Sequence, residues 1–171
     1  INPDDAVKSG LLALKEAGDN VDYKIKAFKI ISDAYSSKRD YKNSLDYLKK
    51  ILELCGNNID VYSGDDNTAL EIIRLGGKGV ISVAANLLPQ SMHNLYEFAK
   101  KENWEAAEEI DQLLRPLYEG LFIETNPIPV KWLAAERDLI LTPSVRLPLT
   151  KLSLTHQADL RPILDLLEAL S

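Results

Sequence analysis

Apolar positions recur at helical spacing through the first third of the chain. Ala6, Leu11, Leu12, Leu14 and Ala17 give one face, opened by Asn2-Pro3-Asp4 and stopped at Gly18. Ile25, Phe28, Ile31 and Tyr35 give a second over 22–38. Leu45, Leu48, Ile51 and Leu52 give a third over 41–54, which Gly56-Asn57 closes. Three amphipathic helices with short joints predict antiparallel neighbours. The period then changes. Residues 58–86 read as strand, polar turn, short helix, glycine turn and strand. Ile59 and Val61 lead into Ser63-Gly64-Asp65-Asp66, Leu70, Ile72, Ile73 and Leu75 form one helical face, and Gly76-Gly77 stops it before Val80-Ile81-Ser82-Val83. Such a unit needs a right-handed crossover and parallel strands. Two parallel strands leave both edges open, so the pattern predicts cover from other elements or self-association through an edge at 58–62 or 80–83.

The remainder is helical. Met92, Leu95, Tyr96, Phe98 and Ala99 define a helix over 89–101. A longer one over 104–122 carries Ala107, Ile110, Leu114, Leu117 and Tyr118, with Pro116 as an expected bend or break. Asn126-Pro127-Ile128-Pro129 launches a helix over 130–139, and residues 142–150 form a proline-bearing loop. Ser153 or Thr155 caps the last helix, whose face is Leu160, Ile163, Leu164 and Leu167. The fold class is therefore α+β, mostly α: helical hairpins packed on a two-stranded parallel unit, with segments 1–56 and 57–171.

Composition narrows the function classes. The 171 residues hold 20 Lys and Arg against 26 Asp and Glu, a net charge of -6, which opposes a general nucleic-acid surface. The excess is uneven: residues 1–56 carry 10 basic and 9 acidic side chains, and 57–171 carry 10 and 17. Cys55 is the only cysteine, so an intrachain disulfide is impossible and a reducing, cytoplasmic or recombinant soluble setting is expected. No apolar run reaches membrane-spanning length.

Single residues add little chemistry. Asp65 and Asp66 are adjacent carboxylates after a strand, better placed to cap the next helix than to hold a metal. Gly76-Gly77-Lys78-Gly79 follows a helix and precedes a strand, the reverse of a phosphate loop. His93 and His156, the only imidazoles, sit far apart in sequence and are not expected to act as ligands or catalysts, and Cys55, Trp104 and Trp132 read as packing residues. The acidic run Glu102, Glu105, Glu108, Glu109 and Asp111 reads as a solvated face. No cofactor, metal, nucleic-acid or membrane partner is expected.

Two resemblances overlay this reading. Tyr35, Asp40-Tyr41, Ser44 and Leu48 resemble the tetratricopeptide repeat, so that 1–54 would be about one and a half repeats. From about Cys55 onward the chain resembles the carboxy-terminal third of the dihydrodipicolinate synthase and N-acetylneuraminate lyase family. The matching pieces are Val61-Tyr62-Ser63-Gly64-Asp65-Asp66, Gly76-Gly77-Lys78-Gly79-Val80-Ile81-Ser82-Val83-Ala84-Ala85-Asn86, Asn126-Pro127-Ile128-Pro129-Val130-Lys131 and Arg146-Leu147-Pro148-Leu149.

The family resemblance implies the last two strand–helix units of an eight-stranded barrel and its helical tail. It also implies a reaction that condenses pyruvate with an aldehyde through a lysine Schiff base. Ile81 would then line the pyruvate pocket, and Gly64 would stand near its entrance. A closed barrel needs about 250 residues, and the family's catalytic side chains belong to earlier strands. Leu14-Lys15-Glu16-Ala17-Gly18-Asp19 is similar to the family's Schiff-base segment, but its period is helical. The leading expectation is consequently a chimeric, engineered or recombined chain, a de novo composite without catalytic function. The alternatives are a partial pyruvate-dependent lyase with Lys15 as nucleophile, and a binding module that uses the helical-repeat face.

Overall fold

A computed structural model describes residues 2–56 and 58–170. Eight α-helices and two short strands are present among them: α1 (Pro3–Glu16), α2 (Val21–Ser37), α3 (Tyr41–Cys55), β1 (Tyr62–Ser63), α4 (Ala69–Arg74), β2 (Gly79–Val80), α5 (Pro89–Lys100), α6 (Trp104–Gly120), α7 (Ile128–Glu136) and α8 (Leu154–Ala169). The strands pair in parallel, Tyr62 with Gly79 and Ser63 with Val80. This is a mostly helical molecule with a two-stranded parallel sheet and not a closed barrel. The chain divides into two compact units, one of residues 1–63 with 71–80, the other of residues 64–70 with 81–171.

In the first unit, α2 packs against both α1 and α3. Local chemistry sets the helix ends. The Asn2, Asn20 and Asp40 side chains accept backbone N–H bonds at the three amino ends, and Gly18 and Gly56 take positive φ angles after α1 and α3. Asn57, the second residue of the expected stop after α3, lies outside the described residues. Gly10 faces Ile31 so closely that a Cβ would sit 2.4 Å from Ile31 Cγ1, which is why a glycine stands in mid-helix. The Ser32 and Ser44 hydroxyls, both buried, lie 2.9 Å apart and join α2 to α3. A ring stack of Tyr35 on Tyr47 continues the contact.

The crossover is tight. Gly77 donates its N–H to the Ile72 carbonyl at 2.8 Å, and Lys78 donates to Val61 at 2.8 Å. A Cβ at Gly77 would lie 2.4 Å from Ile72 Cγ2 and 2.8 Å from the Ile72 carbonyl oxygen. The carbonyl belongs to the backbone and cannot yield. Gly77→Ala is expected to destabilise the first unit by about 1–3 kcal/mol, read as a lower urea midpoint at an unchanged slope.

The second unit is layered from α5, α6, α7 and α8, with α6 contacting both α5 and α8. Leu95, Leu114, Leu117, Tyr118, Leu121, Leu133 and Leu167 are wholly shielded from solvent. Each such aliphatic side chain contributes about 1.5–3 kcal/mol relative to exposure. Gly120 lets α8 approach: a Cβ there would stand 2.3 Å from Ile163 Cδ1. The structure departs from the sequence pattern at several places. Pro116 does not break α6, and α8 runs through Pro162 as well. The second strand ends at Val80, because residues 84–86 turn into a 3-10 helix, where the pattern predicted strand through Val83. Asp111 is buried and pairs with Arg115 at 2.6 Å, so it leaves the solvated acidic face to which the sequence assigned it.

Candidate functional site

The second unit holds an open groove of about 710 Å³. One wall is Gly64, Ile81, Ser82 and Val83; the other comes from Asn126, Pro127 and the α7 residues Val130, Lys131 and Ala134. Each wall has a local cause. The peptide before Pro127 is cis, and Pro129 enters the first turn of α7, where its missing N–H costs no intrahelical bond. The burial of Val130, Trp132, Leu133 and Ala134 holds α7 in place. Lys131 carries the one formal charge among the lining residues, and its Nζ donates to the Ser144 carbonyl. The groove is thus mostly apolar, with amide, hydroxyl and ammonium groups placed along it.

Behind Ile81 the chain is held by a carboxylate. Asp66 is 1% exposed. Its Oδ2 accepts the N–H of Val83 and the N–H of Ala84, each at 3.0 Å. Burial raises its pKa, and hydrogen bonds from the Ser82 hydroxyl and from the Ala84 and Val83 amides oppose that rise. Neighbouring Asp65 behaves as a cap, with Oδ1 accepting from the Asn67 N–H at 3.0 Å. The expected capping role therefore fits Asp65, whereas Asp66 ties two segments 17 and 18 residues apart in sequence.

The groove brings Gly64 and Ile81 together. Ile81 is 72% exposed, an unusual position for isoleucine. Lys15 is elsewhere, exposed in the last turn of α1 within the first unit, where a cation complements the carbonyl end of a helix. His156 is not a lone imidazole: its Nδ1 lies 2.7 Å from Glu124 Oε1, which also accepts the Ser153 N–H at 3.0 Å. Those two contacts hold the Glu124 carboxyl below the usual range. His93 is exposed on α5, and Cys55 is buried at the end of α3. Among the described residues, no group of three or more His, Cys, Asp or Glu side chains could hold a metal ion, and no helix is long and apolar enough to cross a membrane.

Sequence reasoning missed the Asp66 tie and the contribution of Asn126, Val130 and Lys131 to the groove. A signal for the second existed in the Asn126-Pro127-Ile128-Pro129 run, since paired prolines fix where a helix begins. No local signal separates Asp65 from Asp66. They differ only in what the fold brings to each.

Comparison with known proteins gives this geometry a context. A family model described as the dihydrodipicolinate synthetase family matches residues 36–167. A 4-hydroxy-tetrahydrodipicolinate synthase of Thioalkalivibrio sulfidiphilus is 47% identical over 126 residues, 74% of this chain and 42% of the relative. One from a Shewanella species is 52% identical over 106 residues, 62% of this chain and 36% of the relative. The crystal structure of a chloride-inhibited dihydrodipicolinate synthase from Acinetobacter baumannii, complexed with pyruvate, superposes with a TM-score of 0.69 at 36% identity, covering 72% of this chain and 42% of that one. The chain spans about two fifths of the length of these relatives. These likenesses overturn the expectation of a chain without catalytic function, because relatives at about half identity are named as synthases, and they lend no support to a composite chain. The matched region also begins at residue 36, ahead of the junction near Cys55 on which the chimera expectation rested.

Proposed function

Because the chain belongs to the dihydrodipicolinate synthetase family, we propose that it works as the carboxy-terminal part of a pyruvate-dependent lyase of the class I aldolase type. The observation that carries this reading is the groove in which Gly64 and Ile81 stand together. In such an enzyme a lysine amine attacks the pyruvate ketone and water leaves. The resulting Schiff base loses a C3 proton to give an enamine, which adds to an aldehyde. The share of this chain is the pocket wall. Ile81 supplies apolar surface that displaces water beside the reacting ketone, and Gly64 keeps the approach free of a side chain.

The proposal assigns the remaining barrel strands, and with them the nucleophilic lysine, to polypeptide beyond this sequence. That polypeptide is the rest of a longer chain or a complementary fragment. The exposure of Tyr62 within β1 and of Ile59 ahead of it supports pairing there, with such a strand or with a second copy of the chain. The likeness of 1–54 to tetratricopeptide helices is supported by the buried Ser32–Ser44 contact, and we keep it as a description of the hairpin. Lys15 retains family-like flanks, and its exposed helical site supports a surface role.

Borohydride reduction with labelled pyruvate, read by intact mass, tests all of this. The chain is mixed with a fragment carrying the first six strand–helix units of a 4-hydroxy-tetrahydrodipicolinate synthase. One adduct is expected, on the lysine of the fragment. An adduct on Lys15 would move the nucleophile into this chain, and no adduct with or without the fragment would overturn the proposal.

A further inference from the structure

The tie between Asp66 and the turn after Ile81 has a consequence for the pocket. Ile81, Ser82 and Val83 are consecutive groove residues. Apart from its short pairing at Gly79–Val80, this segment is fixed by few backbone bonds. Asn86 donates its N–H to the Val83 carbonyl at 3.1 Å, and the Ser82 hydroxyl accepts the Ala85 N–H at 2.9 Å. Both contacts are internal to the turn and do not fasten it to anything else. Asp66 does fasten it: one carboxylate oxygen takes two successive N–H groups, each at 3.0 Å. Two adjacent amides converging on one oxygen form a small anion-binding concavity. Here the anion is part of the protein.

We infer that Asp66 is a positioning residue for the pyruvate wall, setting where Ile81 stands by holding the Val83 and Ala84 amides from behind. The carboxylate touches no groove space of its own, so it acts through the turn and not on substrate. Its other oxygen, Oδ1, is buried with no hydrogen-bond partner. A buried orphan acceptor costs about 1–3 kcal/mol, so the tie is kept at some cost to stability. The functional consequence rests on the lyase reading; the tie itself does not.

The test compares Asp66→Ala with Asp66→Asn. In the chain alone, amide hydrogen exchange is followed by NMR at Val83 and Ala84. Loss of the carboxylate is expected to speed both about 10- to 100-fold, while Leu114 and Leu117 in α6 keep wild-type rates. Asp66→Asn retains an acceptor oxygen and is expected to stay within a few-fold of wild type. In the complex with the barrel fragment, Asp66→Ala is expected to raise the pyruvate KM about 10-fold with a smaller change in kcat, and Asp66→Asn to restore most of it. Unchanged exchange in Asp66→Ala overturns the inference, as does faster exchange with an unchanged KM. Should Asp66→Ala lower protection throughout the chain, the wild-type rates decide. Val83 and Ala84 must then exchange with the slow amides of α6, and rates like those of the exposed 101–103 turn overturn the inference. If the wild-type complex traps no pyruvate, the lyase reading fails, and the exchange measurement alone decides whether Asp66 holds the turn.

Discussion

Ile81→Asp is expected to abolish pyruvate trapping in the complemented enzyme while leaving the chain as stable as before. Ile81 is 72% exposed, so its replacement removes little buried apolar surface, and a change within about 0.5 kcal/mol is expected in urea unfolding. Binding should behave differently. A carboxylate introduced at the wall would face the carboxylate of pyruvate. At about 4 Å and a surface-like dielectric, two such charges repel by roughly 4 kcal/mol, enough to weaken binding by more than about 100-fold. Ile81→Val, which keeps an apolar β-branched wall, should trap pyruvate at nearly the wild-type concentration dependence. The measurement is adduct yield against pyruvate concentration for the three proteins. Equal yields would show that Ile81 lines no pyruvate site, whatever the fold.

The exposure of Ile81 also marks the limit of what the sequence could say. Periodicity, with the proline and glycine signals, located the eight α-helices, most of which bury one face and several of which carry the usual caps, Asn2, Asn20, Asp40 and Ser153. The helix α7, buried at most of its positions, was announced by its prolines instead. The parallel pairing followed from the short apolar runs and the glycine turn, since two strands joined by a helix have few other solutions. Positions fixed by tertiary contacts were not legible. Nothing local distinguishes Asp66, which accepts two distant amides, from Asp65, which caps its own turn. Asp111 sits in an acidic run and yet is buried, because the face of α6 it occupies turns inward, where Arg115 one turn later meets it. Glu124 and His156 are 32 residues apart and form a pair only because α8 returns past the 120s. The candidate site divides the same way. Gly64 and Ile81 were visible as motif positions, whereas the opposite wall depends on where α7 is placed.

Two leucines of the tail show how strongly that placement controls stability. Leu133 on α7 is wholly buried, and Leu147 in the following loop is 88% exposed. Both lie in or beside family-like segments, and the pattern reads Leu147 as packing its loop, which its exposure corrects. Leu133→Ala removes apolar surface from a packed core and leaves a cavity, which costs about 2–5 kcal/mol. That is a large share of the roughly 5–15 kcal/mol typical of a domain. Leu147→Ala is expected to cost less than about 0.5 kcal/mol. Urea unfolding followed by tryptophan fluorescence reads both, since Trp132, next to Leu133, is only 5% exposed and reports the packing of α7. The functional corollary concerns the groove, because α7 carries Val130, Lys131 and Ala134 on its wall. In Leu133→Ala at low urea, pyruvate trapping in the complemented enzyme should fall in step with the Trp132 signal. Trapping that outlasts the loss of that signal would mean that the α7 wall is not part of the pyruvate site.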